Sequence, residues 1–279
     1  MVSTEQNFFV PIYRYEFRNQ ERGRKIIVAG HSKWANIKRQ KAVVDAKRGV
    51  VYAKVAREII VATKMGGSDP AANFRLRQAI ERAKQEGVPN DNIERAIEKG
   101  AGQGNADNME DLIYEGYGPG GVAVLVKCTT DNRNRTAGDV RSYFSKYGGN
   151  LGENGCVSWM FKEQGEITID KGAHFDEEAL LTSAVEAGAE DMITDQEEPM
   201  VICPPEKFME VRDAIEKSGH KITSGEVTMT PMNTVEVTDE NLAKQLLKLI
   251  DILENHDDIQ HVYANFDMDS DWLDEFMSN

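Results

Sequence analysis

The chain is poor in cysteine: Cys128, Cys156 and Cys203 are the only three in 279 residues, widely spaced and without a CxxC pair. An odd number at such spacings excludes a disulfide framework and fits buried free thiols in a reducing compartment. No apolar run approaches the roughly 18–20 residues of a membrane span, and no secretory h-region is present. The five histidines, His31, His174, His220, His256 and His261, show no HxxxH or His–acid spacing of the zinc-binding kind, so no metal and no cofactor is expected. A GxSxG elbow and a recognisable Cys–His pair are missing too, and no enzymatic activity is expected.

What is present is a charge asymmetry hidden inside a net charge of −14. Residues 29–99 carry 15 Lys and Arg against 8 Asp and Glu, whereas residues 100–279 carry 13 against 36. The cations are densest at the start, where Lys33, Lys38, Arg39, Lys41, Lys47, Arg48, Lys54, Arg57 and Lys64 face only Asp45 and Glu58. A basic module on an acidic body points to a polyanionic partner, with the body repelling bulk nucleic acid.

Residues 1–28 mix Phe8, Phe9, Tyr13, Tyr15 and Phe17 with arginines and show no periodic apolar face, so a disordered extension is expected. From Trp34 to Met65 the spacing predicts two amphipathic helices broken near Gly49. Asp69 and Pro70 offer a start for the next helix, and a short one follows through Ile93, Ala96 and Ile97. Residues 29–105 thus read as a basic helical bundle ending in a glycine-rich linker.

Beyond the linker the apolar period falls to two. Strands are expected at 111–117, 122–130 and 156–163, with a helix at 136–147. Residues 165–231 then read as a β-α-β-β-α-β series, the split-βαβ arrangement. A strand near 233–237, a helix through Leu242, Leu246, Leu249, Ile250 and Leu253 and a strand at 260–266 follow. The last helix and strand are expected to complete the earlier sheet. That makes one discontinuous α/β domain (106–164 plus 232–268) with a second (165–231) inserted in it, both ferredoxin-like. Residues 269–279 read as a solvated acidic tail.

Several motifs admit two readings. Gly116-Tyr117-Gly118-Pro119-Gly120-Gly121 resembles a phosphate loop, but another strand follows it instead of a helix, which favours a strand-to-strand turn. Arg133 and Arg135 in Asp131-Asn132-Arg133-Asn134-Arg135-Thr136 either contact phosphates or pair with the acidic body while Asn134 or Thr136 caps the helix. Trp159 and Phe161 alternate as base-stacking aromatics do, or as the buried face of a strand. Trp34 stands at a contact edge with His31, Ser32 and Lys33, or plugs the bundle.

Ala-Gly-His-Ser-Lys-Trp-Ala-Asn-Ile-Lys at 29–38, Asp45-Ala46-Lys47-Arg48-Gly49, Asp91-Asn92-Ile93-Glu94-Arg95-Ala96-Ile97, Tyr114-Glu115-Gly116-Tyr117-Gly118-Pro119-Gly120-Gly121 and Asp131-Asn132-Arg133-Asn134-Arg135-Thr136 together resemble the hallmark segments of the YebC/PmpR family. The resemblance implies three domains, the third inserted in the second, no enzymatic activity and a cytoplasmic nucleic-acid partner. Members are described as DNA-binding transcriptional regulators, some as ribosome-associated factors that bind rRNA or tRNA and relieve stalling at proline-rich sequences. Mitochondrial relatives are translational activators of cytochrome oxidase. Expected phosphate contacts are Lys33, Lys38, Arg39, Lys41, Lys47, Arg48, Lys54, Arg57, Arg133 and Arg135, with His31, Ser32 and Trp34 at the edge. Because family members begin Met-Ala-Gly-His-Ser-Lys-Trp, Val28 stands at the position of an initiator, and the native chain is expected to start there.

Overall fold

The computed structural model describes Trp34 and residues 48–102, 109–172, 175–194 and 198–278. Three helices come first, α1 (Arg48–Gly66), α2 (Phe74–Gln85) and α3 (Asn90–Gly100). Their apolar residues recur at three- and four-residue spacings, so each helix turns one stripe inward, and Val55, Ile59, Leu76, Ala79, Ala83, Ile93 and Ala96 form a common core. Gly100 is where α3 crosses α1: a Cβ there would stand 2.6 Å from the Ile60 carbonyl oxygen, so only glycine permits the approach. The cap of α2 is Asn73 and not Asp69, because the Asn73 amide serves both ends of the turn. Its Oδ1 accepts from the Leu76 amide at 3.0 Å while its Nδ2 donates to the Ala62 carbonyl at 2.7 Å.

The first sheet begins with β1 (Glu110–Tyr117) and β2 (Ala123–Thr130), which pair antiparallel along their whole length, from Glu110 opposite Thr130 to Tyr117 opposite Ala123. The glycine cluster between them is a turn, with Gly120 at φ 74° and the Gly118 amide donating to the Val122 carbonyl at 2.8 Å. Helix α4 (Arg133–Lys146) follows, capped by Asn132, whose side chain accepts from the Arg135 amide at 3.1 Å. The expected caps Asn134 and Thr136 lie inside the helix. β3 (Asn150–Leu151) is a two-residue edge beside β1, and β9 (Ile259–Ala264) pairs with β2, giving the order β3-β1-β2-β9. One face of this sheet is covered by α4 and by α7 (Glu240–Glu254). Leu246, Leu247, Leu249, Ile250 and Leu253 of α7 are fully buried, each contributing roughly 1.5–3 kcal/mol.

The elements of the second sheet are β4 (Phe161–Ile169), α5 (Glu177–Glu186), β5 (Asp191–Ile193), β6 (Met200–Cys203), α6 (Phe208–Lys217) and β7 (Ile222–Pro231). Its strand order is β5-β6-β4-β7, with every pairing antiparallel. Both helices pack on one face through Leu180, Ala184, Phe208, Val211 and Ile215. The β-α-β-β-α-β order is as the sequence reads, but the two expected strands at 156–163 and around Ile167 are one strand. A 3-10 turn at Ser158–Met160 precedes it, so Trp159 and Phe161 share no strand face: Trp159 is 61% exposed and Phe161 is buried.

β8 (Val235–Glu236) and β10 (Phe266–Asp267) pair in parallel. The expected solvated tail is instead helix α8 (Ser270–Ser278). Leu273 is fully buried, and Trp272 and Phe276 pack against the core of the first sheet. Apolar side chains at 272, 273 and 276 give the acidic segment one face to bury, and that face outweighs its charge.

Candidate nucleic-acid interface

His31, Ser32, Lys33, Lys38, Arg39, Lys41 and Lys47 lie outside the described residues. Arg48 opens α1 by its backbone. Trp34 is fully buried. Its Nε1 donates to Glu254 Oε2 at 3.2 Å, and its ring lies 5.8 Å from that of Phe276. A role for the indole at an exposed contact edge is thereby corrected. The ring plugs the core beneath α7 and α8, as expected of a large aromatic whose one donor finds a partner.

Lys54 and Arg57 stand one turn apart on α1 and point at the carboxyl end of α7. Lys54 is buried to 8% exposure and donates from Nζ to the Glu254 carbonyl at 2.5 Å. Arg57 donates to the Asp257 carbonyl at 2.8 Å. The last carbonyls of a helix have no intrahelical donor and carry the negative end of its dipole, so Lys54 on the Glu254 carbonyl satisfies both demands, while Arg57 ties down the turn that follows the helix. Lys54 is therefore occupied as an internal tie and is not available to a phosphate.

The second basic stretch arrives at the same place. Arg135 Nη2 lies 2.7 Å from Asp258 Oδ2 and 3.0 Å from Asp131 Oδ1. Arg57 Nη2 lies 3.7 Å from the other oxygen of Asp258. The Asp258 side chain is only 2% exposed, and the hydroxyls of Thr130 and Thr136 also reach it, at 3.2 and 2.8 Å. Burial works against its charge, but Arg135, Thr136 and Arg57 together hold its carboxyl below the usual range. Those same bonds, to Asp258 first and Asp131 second, push the Arg135 guanidinium upward. Arg135 remains 46% exposed, and Arg133 at the start of the same helix is exposed with no ion-pair partner among the described residues. The structure thus brings Arg57 and Arg135 together from two parts of the chain, whereas Arg133, two residues before Arg135, stands about 200° from it around α4. It assigns both of these a structural carboxylate and leaves Arg133 open. Asp258 carries no sequence signal, being one of several acids after the last long helix.

A cleft of about 430 Å³ opens between α1, α2, α6, β7 and β9, lined by Glu58, Glu81, Arg82, Arg212, Glu226 and His261. Its cations are paired, Arg82 with Glu58 at 3.1 Å and Arg212 with Glu81 at 2.8 Å, so it is no ready anion site. Among the described residues, no group of three or more His, Cys, Asp or Glu is placed to hold a metal, and no helix is long and apolar enough to cross a membrane.

Comparison with known proteins matches two family models, the TACO1/YebC protein N-terminal domain over residues 32–103 and the TACO1/YebC second and third domain over residues 109–266. The chain is 53% identical over 249 residues to a "Probable transcriptional regulatory protein" of Natranaerobius thermophilus, covering 88% of this chain and 99% of that protein. It is 51% identical over 250 residues to "Probable transcriptional regulatory protein GSU1074" of Geobacter sulfurreducens, covering 90% and 100%. The crystal structure of a conserved hypothetical protein, Aq1575, from Aquifex aeolicus superposes with a TM-score of 0.71 at 48% identity, over 81% of this chain and 92% of that one. With both models matched in order and half of the aligned positions identical to relatives of nearly full coverage, the chain belongs to the TACO1/YebC family.

Proposed function

We propose that the protein is a DNA-binding transcriptional regulator of the cytoplasm that acts without catalysis. It grips phosphates through the basic stretch at 29–48 and through Arg133 and the exposed part of Arg135. The observation that carries this reading is the meeting of Arg57 and Arg135 at the junction of the helical part with the first sheet, on a chain whose remainder is strongly acidic. Phosphate contacts of this kind fix position and orientation without reading bases, and the surrounding acids discourage indiscriminate coating. The names of the relatives, transcriptional regulatory proteins, support the regulatory role. In the same reading the unit built on the second sheet is ferredoxin-like and inserted into the unit built on the first. This rests on its antiparallel β5-β6-β4-β7 order and on the return of the chain to β2 through β9.

The test is crosslinking in cells followed by sequencing of the recovered nucleic acid. Promoter DNA is expected. Recovery of rRNA and tRNA instead would move the protein to a ribosome-associated role and overturn the DNA reading. In vitro, replacing Lys38, Arg39 and Lys41 by alanine should flatten the salt dependence of duplex binding by about 0.9 for each phosphate that is no longer neutralised.

A further inference from the structure

Helix α4 differs in charge from the acidic part of the chain to which it belongs. Arg133, Arg135, Arg141 and Lys146 stand on its 14 residues against the single acid Asp139, whereas residues 100–279 as a whole carry an excess of 23 acids. Three nearby carboxylates are engaged: Asp139 lies 3.1 Å from His256 Nε2, and Asp131 and Asp258 hold Arg135. Arg133, Arg141 and Lys146 are exposed and make no ion pair among the described residues, although Lys146 lies 5.2 Å from the centre of the Tyr147 ring.

The inward stripe of α4 is Thr136, Val140 and Phe144, all fully buried, which fixes the rotation of the helix. The opposite face is then Asn134, Gly138, Ser142 and Ser145, none of them bulky and none buried. Successive residues are about 100° apart around a helix, which sets Arg141 along one edge of that face and Arg135 and Lys146 along the other. A low floor between cationic edges lets a polyanion approach the helix closely. The helix is about 21 Å long, a length over which a DNA duplex presents on the order of twelve phosphates.

From this charge complementarity we propose that the outer face of α4 is a second contact surface for the backbone of duplex DNA, with Arg141 and Lys146 as its phosphate-binding residues. The inference rests on the nucleic-acid reading above and adds to it a surface outside the amino-terminal basic stretch. A duplex held at both places is bound in one orientation, because two separated groups of phosphate-binding cations define a line across the protein where one group defines only a point.

Binding of a fluorescein-labelled 30-base-pair duplex by the full chain is measured between 50 and 300 mM salt. It is compared for the unaltered protein, for Arg141→Ala with Lys146→Ala, and for Lys38→Ala with Arg39→Ala and Lys41→Ala. Removal of the two cations Arg141 and Lys146 is expected to lower the slope of log K against log salt by about 1.8 and to weaken binding at 0.1 M salt by at least about tenfold. Arg141→Lys, which keeps the charge, should retain the slope, and thermal unfolding should be unchanged because both side chains are exposed. The inference is overturned if the Arg141/Lys146 variant binds as the unaltered chain does while the Lys38/Arg39/Lys41 variant loses affinity, an outcome that leaves the general reading standing. If the unaltered chain binds no duplex, both fall. If an RNA hairpin and not the duplex responds to the Arg141 and Lys146 changes, the assignment of DNA as occupant is wrong.

Discussion

Arg135 Nη2 approaches Asp258 Oδ2 to 2.7 Å across the seam between α4 and the loop that leads into β9, and Arg57 closes on the same carboxylate from α1. One buried acid therefore holds three segments that are distant in sequence.

Replacing Asp258 by alanine leaves two guanidinium groups and two threonine hydroxyls without their shared acceptor. Both arginines retain access to water, which limits the electrostatic loss, and the cost is that of the broken hydrogen bonds, about 2–4 kcal/mol. Urea unfolding of Asp258→Ala against the unaltered chain measures it. A change below about 0.5 kcal/mol would mean that the junction is held by its apolar packing alone.

The same carboxylate makes stability depend on acid. Its folded pKa lies below the ordinary value, so its contribution is complete above the unfolded pKa of about 3.9 and is lost as pH falls through the lower, folded value. Thermal midpoints followed downward from pH 5 should fall more steeply for the unaltered protein than for Asp258→Asn, which has no such proton to take up.

Glu115 organises the loop that presents Trp159. Its carboxylate accepts from the amides of Gly155 at 2.7 Å, Val157 at 2.8 Å and Ser158 at 2.7 Å. Burial opposes its ionisation, but these three donors keep its pKa below normal. Glu115→Ala should abolish hydrogen-exchange protection of those three amides while leaving the β1–β2 ladder protected, as read residue by residue by NMR.

The thiols should react in a set order. Burial, reinforced by Asp258, pushes Cys128 up to about 12, and burial with Glu190 and Glu206 pushes Cys203 to about 11. At pH 8 their thiolate fractions are about one in ten thousand and one in a thousand. Cys156 is raised less and is only half-buried, so alkylation by iodoacetamide under native conditions should mark it first, with mass spectrometry giving the order.

The alternation of helices and strands was readable because each element keeps one period and one buried face; the five apolar positions of α7 are the clearest case. Three things were not. The strand Phe161–Ile169 contains Lys162, Glu163, Gln164 and Glu166 near its start, which interrupt the apolar alternation and split one strand into two. Helix α8 is hidden by its acids, although Trp272, Leu273 and Phe276 at spacings of one and three carry the signal. At the candidate site, charge marked Lys54, Arg57 and Arg135 correctly as cations but could not say which of them already had a carboxylate or carbonyl in the fold. That depends on tertiary partners some 120 to 200 positions away.

Trp34 and Glu254 are 220 positions apart, and the Trp34 ring also meets Phe276. A ribosome releases the first of these side chains long before the others exist. The core under the first sheet therefore stays open along one side until synthesis has reached α8, and its final closure is an event of the completed chain, in which two distant stretches of the polypeptide meet.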